Sequence, residues 1–151
     1  MELKTKVKAE AGSQEIFITR HFDLPVHLVF KAYTEAQLLE QWMNTKVIRH
    51  ENKKHGSWQI ETSDPQGNVV FKANGVIHEF EVDSKITRTF EMENSGFPVQ
   101  LEYLTFESMG PDTSLLTIHT IFKSVADRDN LLKMPFAFGL SMAHDKLQSL
   151  F

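Results

Sequence analysis

Seven histidines are the residues of this chain whose side chains could bind a metal ion or exchange protons near neutral pH. They stand at positions 21, 27, 50, 55, 78, 119 and 144, without the His-x-x-x-His spacing that puts two ligands on one helix face. The chain has no Cys, which excludes disulfides, thiolate nucleophiles and thiolate zinc sites. The sequence therefore predicts no metal site and no cofactor.

Hydrolysis is the other chemistry that these residue types could provide. Ser57 or Ser141 could combine with a histidine and with Glu79 or Glu81. However, the sequence lacks the nucleophile-elbow pattern Gly-x-Ser-x-Gly, and residues so far apart along the chain do not define a triad by themselves. No catalytic residue is predicted, and an enzymatic function stays an alternative.

Arg88 has the most informative position among the charged residues. In a strand it would share a face with three apolar side chains, those of Ile86, Phe90 and Met92. A guanidinium on an apolar face is unfavourable unless it meets a carboxylate or an anionic ligand group, so Arg88 could anchor a ligand. Alternatively, this face is the outer one, or the side chain reaches the rim beside Glu79 or Glu102.

Two more polar residues share strand faces with apolar side chains. Arg20 is in register with Ile16, Ile18 and Phe22, and the same alternatives apply to it as to Arg88. His78 would share a face with Val76, Phe80 and Val82. It could contact a ligand or be a hydrogen-bonded structural or surface histidine.

Hydrophobic periodicity and turn residues predict the elements that would position these side chains. A strand begins near Glu15, and two short helices begin near Asp23-Leu24-Pro25 and at the capping-box pattern that starts with Thr34. Hairpin turns then separate strands expected near 46–51, 56–63, 69–82, 85–92, 98–109 and 113–122.

The C-terminal segment predicts a long apolar helix. Ser124 is an N-cap candidate for a short helix that leads into it, and Pro135 would begin or kink its main segment. A twisted antiparallel sheet offers such a helix its concave face. The sequence therefore predicts an α+β fold in which a curved antiparallel β-sheet wraps around a long C-terminal α-helix, with two short helices after the first strand.

Length and charge limit the class of protein. The 151 residues fit one domain, with 1–13 as a flexible N-terminal segment and 14–151 as a single domain. A formal net charge of -4 argues against nucleic acid as a partner. The chain has no apolar run of about 18 residues and no apolar leader, so we expect no membrane span and a cytoplasmic location. A monomer or a weak homodimer is expected.

Several short motifs occur in a characteristic order. They are ITRHFDLP at 18–25, VFKAYT at 29–34, LEQW at 39–42, GSW at 56–58, NGVIHE at 74–79, TSLLTIH at 113–119, and Gly139 with DKL at 145–147. Over about residues 15 to 150 the chain resembles proteins similar to the activator of the heat-shock protein 90 ATPase, within the START-like, birch-pollen-allergen-like helix-grip (SRPBCC) superfamily. Met43 and His55 stand where family members often have a second Trp and a second Gly.

The resemblance implies a START-like helix-grip fold, and it leaves the function open because this scaffold hosts carriers, cyclases, hydrolase-like enzymes and co-chaperone modules. Our leading interpretation is a small hydrophobic or amphipathic ligand, lipids included, bound between the sheet and the C-terminal helix, in a stress-related role. The alternatives are a co-chaperone-like module that interacts with heat-shock protein 90 and a hydrolase- or cyclase-like enzyme.

A ligand cavity of this kind needs mostly apolar walls and a few polar anchors. The candidate ligand-binding residues are Trp58, Ile60, His78, Ile86, Arg88, Phe90, Met92, Phe136, Phe138, Leu140 and Met142. Core packing is the alternative role for each apolar member of this set. Their joint placement on facing elements favours a cavity.

Overall fold

The computed structural model describes residues 2–151, which form eight β-strands and four α-helices. The strands are β1 (Lys6–Lys8), β2 (Glu15–Phe22), β3 (Lys46–His50), β4 (Ser57–Ser63), β5 (Val69–Glu81), β6 (Lys85–Met92), β7 (Gln100–Gly110) and β8 (Thr113–Ile121). The helices are α1 (Val26–Thr34), α2 (Ala36–Met43), α3 (Val125–Leu132) and α4 (Phe136–Gln148). The predicted α+β class is confirmed.

All eight strands belong to one antiparallel sheet, in the order β1-β2-β8-β7-β6-β5-β4-β3. The strands from β3 to β8 pair in chain order, as the hairpin turns predict, and β2 lies beside β8. The register shifts between Val47 and Arg49 and between Ile77 and Glu79, and such bulges increase the local twist. The sheet is therefore curved, and α4 lies against its concave face.

The hydrophobic core fills the space between the sheet, α1, α2 and the C-terminal half of α4. Alternation along β2 buries Ile16 and Phe22 and exposes Phe17. From the helices, Phe30 packs edge-on against another ring of the core, and Leu147 is fully buried. The N-terminal half of α4 faces a cavity instead.

The N-terminal segment takes part in the sheet. β1 pairs with β2, with Val7 opposite Ile18, and Thr5 is buried. Residues 1–13, for which the sequence predicts a flexible segment, thus include an ordered edge strand, while Met1 of that range lies outside the described residues. A strand of three residues has too little hydrophobic pattern to be predicted from its own sequence. Its order comes from pairing with β2.

The observed helix termini agree in part with those predicted from the sequence. Oγ of Ser124 accepts a hydrogen bond from the amide of Asp127 at 3.1 Å, and α4 begins directly after Pro135, so both predictions are confirmed. The predicted capping box at Thr34 is wrong, because Oγ1 of Thr34 donates to the carbonyl of Phe30 inside α1. No helix within residues 2–151 has both the length and the apolarity needed to cross a bilayer.

Candidate functional site

A cavity of about 440 Å³ lies between the concave face of the sheet and the helices α2, α3 and α4. Its size is that of pockets that bind small molecules. Its wall is mostly apolar and consists of Ile16, Ile18, Tyr33, Leu39, Trp42, Met43, His50, Trp58, Ile60, Phe71, Arg88, Phe90, Met92, Gln100, Glu102, Ile118, Thr120, Phe122, Leu131, Phe136, Gly139, Leu140 and Ala143.

We infer that the mouth of the cavity lies between α2 and α4, because the exposed residues of its wall belong to these two helices. Met43 at the end of α2 and Gly139 in α4 both line the cavity and are exposed to solvent. A Cβ atom added at Gly139 would meet nothing within 4 Å, apart from the helix's own backbone and its chain neighbours. The helix therefore presents an open position about one turn from Phe136 and about one turn from Ala143 on its cavity face.

The indole of Trp58 is held against the sheet by a close approach of three strands. Its Nε1–H donates to the carbonyl of Thr89 at 3.2 Å, across the backbone of Gly75 in β5. A Cβ atom at Gly75 would overlap the carbonyl oxygen of Thr89 and lie 2.5 Å from Nε1 of Trp58. Gly75 thus has a packing role, since only glycine leaves room for this indole.

Arg88 is the cationic group of the cavity wall. Its Nε–H donates to Oε1 of Glu102 at 2.9 Å, and its Cζ lies 4.8 Å from the centre of the Trp58 ring. Oε2 of Glu102 accepts from Nε2 of Gln100 at 3.2 Å. The structure therefore places Arg88 on the inner face beside Glu102, where the ion pair is largely buried.

His50 lines the same cavity from the edge strand β3. Its Nδ1 is within hydrogen-bonding distance of Oδ1 of Asn52, whereas its Nε2 is buried and has no hydrogen-bond partner among residues 2–151. Burial, and then the charge of Arg88, lower the pKa of His50 to about 4. The imidazole is therefore neutral at physiological pH, and its Nε2 is covered by surrounding protein atoms rather than open to the cavity.

A buried polar network lies beside the cavity, where α4 meets α1. Nε2 of His144 is 2.7 Å from Oη of Tyr33, which lines the cavity, and Nδ1 is 2.8 Å from Oγ1 of Thr5. Burial, and then the charge of Arg20, lower the pKa of His144 to about 3, and burial raises the pKa of Tyr33. Both groups are neutral near pH 7, and their hydrogen bonds tie α1, α4 and the N-terminus together.

Arg20 belongs to this network. It is fully buried; its Nη2 donates to Asp145 at 2.8 Å and its Nη1 donates to Thr5 at 3.3 Å. Arg20 lies on the inner face, as its register predicts, but it does not line the cavity. Its guanidinium is satisfied by α4 and the N-terminus, which leaves it a structural role.

The structure brings seven of the eleven predicted ligand-binding residues to the cavity wall: Trp58, Ile60, Arg88, Phe90, Met92, Phe136 and Leu140. Their contact with a ligand stays a prediction. Among the other four, Ile86 packs in the core, while His78 is exposed on the outer face of β5, opposite the buried Ile77. Phe138 and Met142 are exposed because they lie off the stripe of α4 that faces the cavity.

Sequence reasoning did not place several polar groups at or beside the cavity, among them Tyr33, His50 and His144, and it named Glu102 only as a neighbour of Arg88 at the rim. Alternation along β7 could have placed Glu102 with the buried Leu104 and Phe106. Three-residue spacing along α4 could likewise have placed His144 with Ser141 and Leu147. His50 has no such signal, because the bulge between Val47 and Arg49 shifts the alternation by one residue.

The serines considered for hydrolysis have structural partners. Oγ of Ser57 donates to Oε1 of Glu51 at 2.9 Å, and Oγ of Ser141 accepts from the amide of Thr5 at 3.3 Å. Neither serine has a hydrogen bond to a histidine among residues 2–151. The same residues contain no group of three His, Asp or Glu side chains that could hold a metal ion.

A curved antiparallel sheet, a C-terminal helix across it and a cavity between them define a helix-grip protein. The profile of the family described as "Activator of Hsp90 ATPase homolog 1-like protein" matches residues 23–151. Because this match covers most of the chain, the protein belongs to that family, and the resemblance seen in the sequence is confirmed.

Solved structures share this fold. Protein Ms6760 from Mycobacterium smegmatis is 20% identical, with a TM-score of 0.84 over 97% of this chain and 96% of that chain. A protein from Rhodobacter sphaeroides is 17% identical, with a TM-score of 0.83 over 95% and 96% of the two chains. CalU16 from Micromonospora echinospora is 22% identical, with a TM-score of 0.66 over 99% and 86%. A search of proteins with curated descriptions found no significant match.

Proposed function

We propose that this protein binds a small hydrophobic or amphipathic molecule in the cavity between the sheet and α4. The observation that carries the proposal is a cavity of about 440 Å³ whose wall is mostly apolar. The few polar groups of the wall, among them Arg88, Glu102 and His50, would orient the polar end of an amphipathic ligand. Lipid-like molecules fall within this range.

The empty space of the cavity also supports this function. Protein interiors are normally packed as densely as organic crystals, and an apolar void of this size leaves the side chains around it without contact partners. A ligand with an apolar body would supply those contacts. The exposed positions Met43 and Gly139 give such a ligand a route between α2 and α4.

The proposal can be tested by filling the mouth of the cavity. N-phenyl-1-naphthylamine, an uncharged probe that fluoresces in apolar surroundings, should bind the natural protein saturably. Gly139→Phe places a ring at the open position of α4, and we expect it to weaken probe binding at least about tenfold while the protein stays folded.

Met142→Phe is the matched control, because it adds a ring to the exposed face of the same helix and should leave probe binding unchanged. The lack of saturable probe binding by the natural protein would contradict the proposal. Equal binding by the natural protein and the Gly139→Phe variant would also contradict it.

Family membership supports a second candidate, a co-chaperone-like module that binds heat-shock protein 90 and acts in the stress response. Residues 23–151 match the family that is described by its likeness to an activator of that ATPase. Stimulation of the chaperone's ATPase by the purified protein would support this candidate, and unchanged turnover at saturating protein would argue against it. A cytoplasmic location and a monomeric or weakly dimeric state stay predictions.

A further inference from the structure

The guanidinium of Arg88 uses only part of its hydrogen-bonding capacity. Its Nε–H donates to Oε1 of Glu102 at 2.9 Å, whereas neither Nη1 nor Nη2 has a hydrogen-bond partner within residues 2–151. These two nitrogens carry most of the N–H donors of an arginine side chain. Most of the donors of Arg88 are therefore unused.

The unused donors are open to the cavity. Among the half-buried and buried residues of 2–151, Nε2 of His50 is the only side-chain nitrogen or oxygen that is both unpaired and covered by protein atoms. Nη1 and Nη2 of Arg88 are unpaired as well, so protein atoms do not cover them. Because Arg88 belongs to the cavity wall, an atom of a bound ligand can reach these donors.

The ion pair leaves this part of the wall without net charge. Glu102 is the cross-strand partner of Arg88 in the β6–β7 pair, and both side chains are largely buried. Each oxygen of Glu102 already accepts a hydrogen bond, one from Arg88 and one from Gln100. The wall therefore offers hydrogen-bond donors whose positive charge is already neutralised.

The aromatic side chains around Arg88 place these donors next to an apolar surface. The Cζ atom of Arg88 lies 4.8 Å from the centre of the Trp58 ring, and the rings of Trp58 and Phe90 pack at 5.3 Å between centroids. All three residues line the cavity. A ligand that packs its apolar body against these rings would bring a polar end to the guanidinium.

We propose that the cavity selects uncharged ligands whose apolar body carries a hydrogen-bond acceptor, such as the carbonyl oxygen of a ketone, an ester or an amide. This oxygen accepts from an Nη–H of Arg88. The inference rests on the proposed function and names the ligand class for the same cavity.

Two relatives of such a ligand fit less well. A hydrocarbon of the same shape would shield the Nη–H donors from water without giving them a partner, which is unfavourable. A carboxylate would add a second negative charge beside Glu102, where only one cation is present. A carbonyl oxygen avoids both penalties, because it accepts a hydrogen bond and carries no net charge.

Three probes with the same naphthalene body test this selection: 2-acetylnaphthalene, its hydrocarbon analogue 2-isopropenylnaphthalene, and 2-naphthoate. Each is titrated at pH 7.5 by displacement of N-phenyl-1-naphthylamine. The quantity of interest is the ratio of the ketone and hydrocarbon affinities, compared between two proteins, because the different water solubilities of the probes then cancel. We expect 2-naphthoate to bind more weakly than the ketone, and tighter binding of the naphthoate would overturn the selection of uncharged ligands.

A double variant connects the ratio to the ion pair. Arg88→Met combined with Glu102→Met removes both charges, so that neither is left buried and unpaired. We expect the ratio to shift against the ketone about tenfold, as for the loss of one hydrogen bond from a charged donor. Arg49→Met is the control, because Arg49 is exposed and lies outside the cavity wall, and it should leave the ratio unchanged. An unchanged ratio in the double variant would overturn the inference.

Infrared spectroscopy on the natural protein gives a test that does not depend on the folding of a variant. Isotope-edited spectra isolate the carbonyl stretching band of bound 2-acetylnaphthalene. A hydrogen bond from the guanidinium should move this band to a lower wavenumber than in cyclohexane. A band at the cyclohexane position would show that the carbonyl oxygen has no donor, and the inference would be wrong.

The outcomes separate the two proposals. If the naphthalenes bind and Gly139→Phe blocks them, but the ratio is the same in the natural protein and the double variant, the cavity binds apolar ligands and the acceptor selection is wrong. If neither N-phenyl-1-naphthylamine nor any naphthalene binds, the proposed function fails, and the selection fails with it.

Discussion

Nη2 of Arg20 lies 2.8 Å from Oδ1 of Asp145, so β2 and α4 are joined by an ion pair whose cation is fully buried. The same guanidinium donates to Oγ1 of Thr5, which is also within hydrogen-bonding distance of His144. The helix that covers the cavity is therefore attached to the sheet by a polar cluster at its C-terminal half.

Removal of the charge at position 145 should loosen this attachment. Asp145→Asn leaves the buried guanidinium of Arg20 without its counter-ion, and we expect the free energy of unfolding to fall by about 1–3 kcal/mol. Urea denaturation monitored by circular dichroism measures this loss. Glu10→Gln is the control, because its pair with Lys8 is exposed and 3.9 Å long, and should cause little change.

The buried His144 should make stability depend on pH. Burial and the charge of Arg20 hold its pKa at about 3, whereas a histidine in the unfolded chain titrates near 6.5. Between these values the unfolded state binds more protons, so the stability falls as the pH falls below 6.5. At pH 5 the expected loss from this residue is about 2 kcal/mol relative to pH 7.5.

His144→Gln isolates this contribution. The variant should be less stable at pH 7.5, because the hydrogen bonds to Tyr33 and Thr5 are altered, but its stability should change less between pH 7.5 and pH 5. Urea denaturation at both pH values gives the comparison. Parallel loss of stability in the natural protein and the variant would show that His144 is not the group responsible.

The low pKa of His50 should be visible in ligand binding. Because this pKa is about 4, we expect the affinity for N-phenyl-1-naphthylamine to stay constant from pH 7.5 to pH 5.5. Calorimetric titrations across this range provide the measurement. A fall in affinity centred near pH 6.5 would mean that His50 titrates like an exposed histidine, in conflict with its buried setting between Asn52 and the cavity.

Gly139 should tolerate a side chain and gain stability from it. A glycine inside a helix is less favourable than alanine, and the position has free space around a new Cβ. Gly139→Ala should therefore raise the free energy of unfolding by about 0.5–1 kcal/mol. Thermal and urea unfolding would detect the gain, and a loss of stability would show that the space at the mouth is smaller than the structure indicates.

Gly75 should respond in the opposite way to the same substitution. In Gly75→Ala the new methyl group overlaps the carbonyl of Thr89 and crowds the indole of Trp58. We expect a loss of about 2 kcal/mol or more, together with a shift of the tryptophan emission. If Gly75→Ala and Gly139→Ala had similar stabilities, the close packing at Trp58 would be refuted.

Local patterns accounted for most of the fold. Alternation places Arg88 with Phe90 and Met92 on one face of β6, and the structure has this face turned inward. The predicted strand near 46–51 corresponds to β3, which ends at His50. β1 had no such signal, because its order comes from pairing with β2 rather than from its own sequence.

The candidate site was less predictable, because it depends on where the alternation is interrupted. The bulge after Val47 turns His50 inward, and neither the residue types nor their spacing predicts this bulge. Conversely, the pattern around His78 suggested an inner face, whereas Gly75 and Ile77 occupy the inner positions of β5 and His78 is exposed. Tertiary pairing decided the orientation in both cases.

The cavity takes most of its polar groups from strands and much of its apolar cover from α4. Arg88 and Glu102 are held by cross-strand pairing and by their ion pair, and His50 is paired with Trp58 across the strands. By contrast, Phe136, Leu140 and Ala143 belong to a single helix. The chemical group that a guest must carry and the carbon skeleton that it may have are therefore set by separate parts of the chain. Substitution of a few side chains of α4 would therefore change which carbon skeletons fit the cavity without changing which polar group the ligand needs.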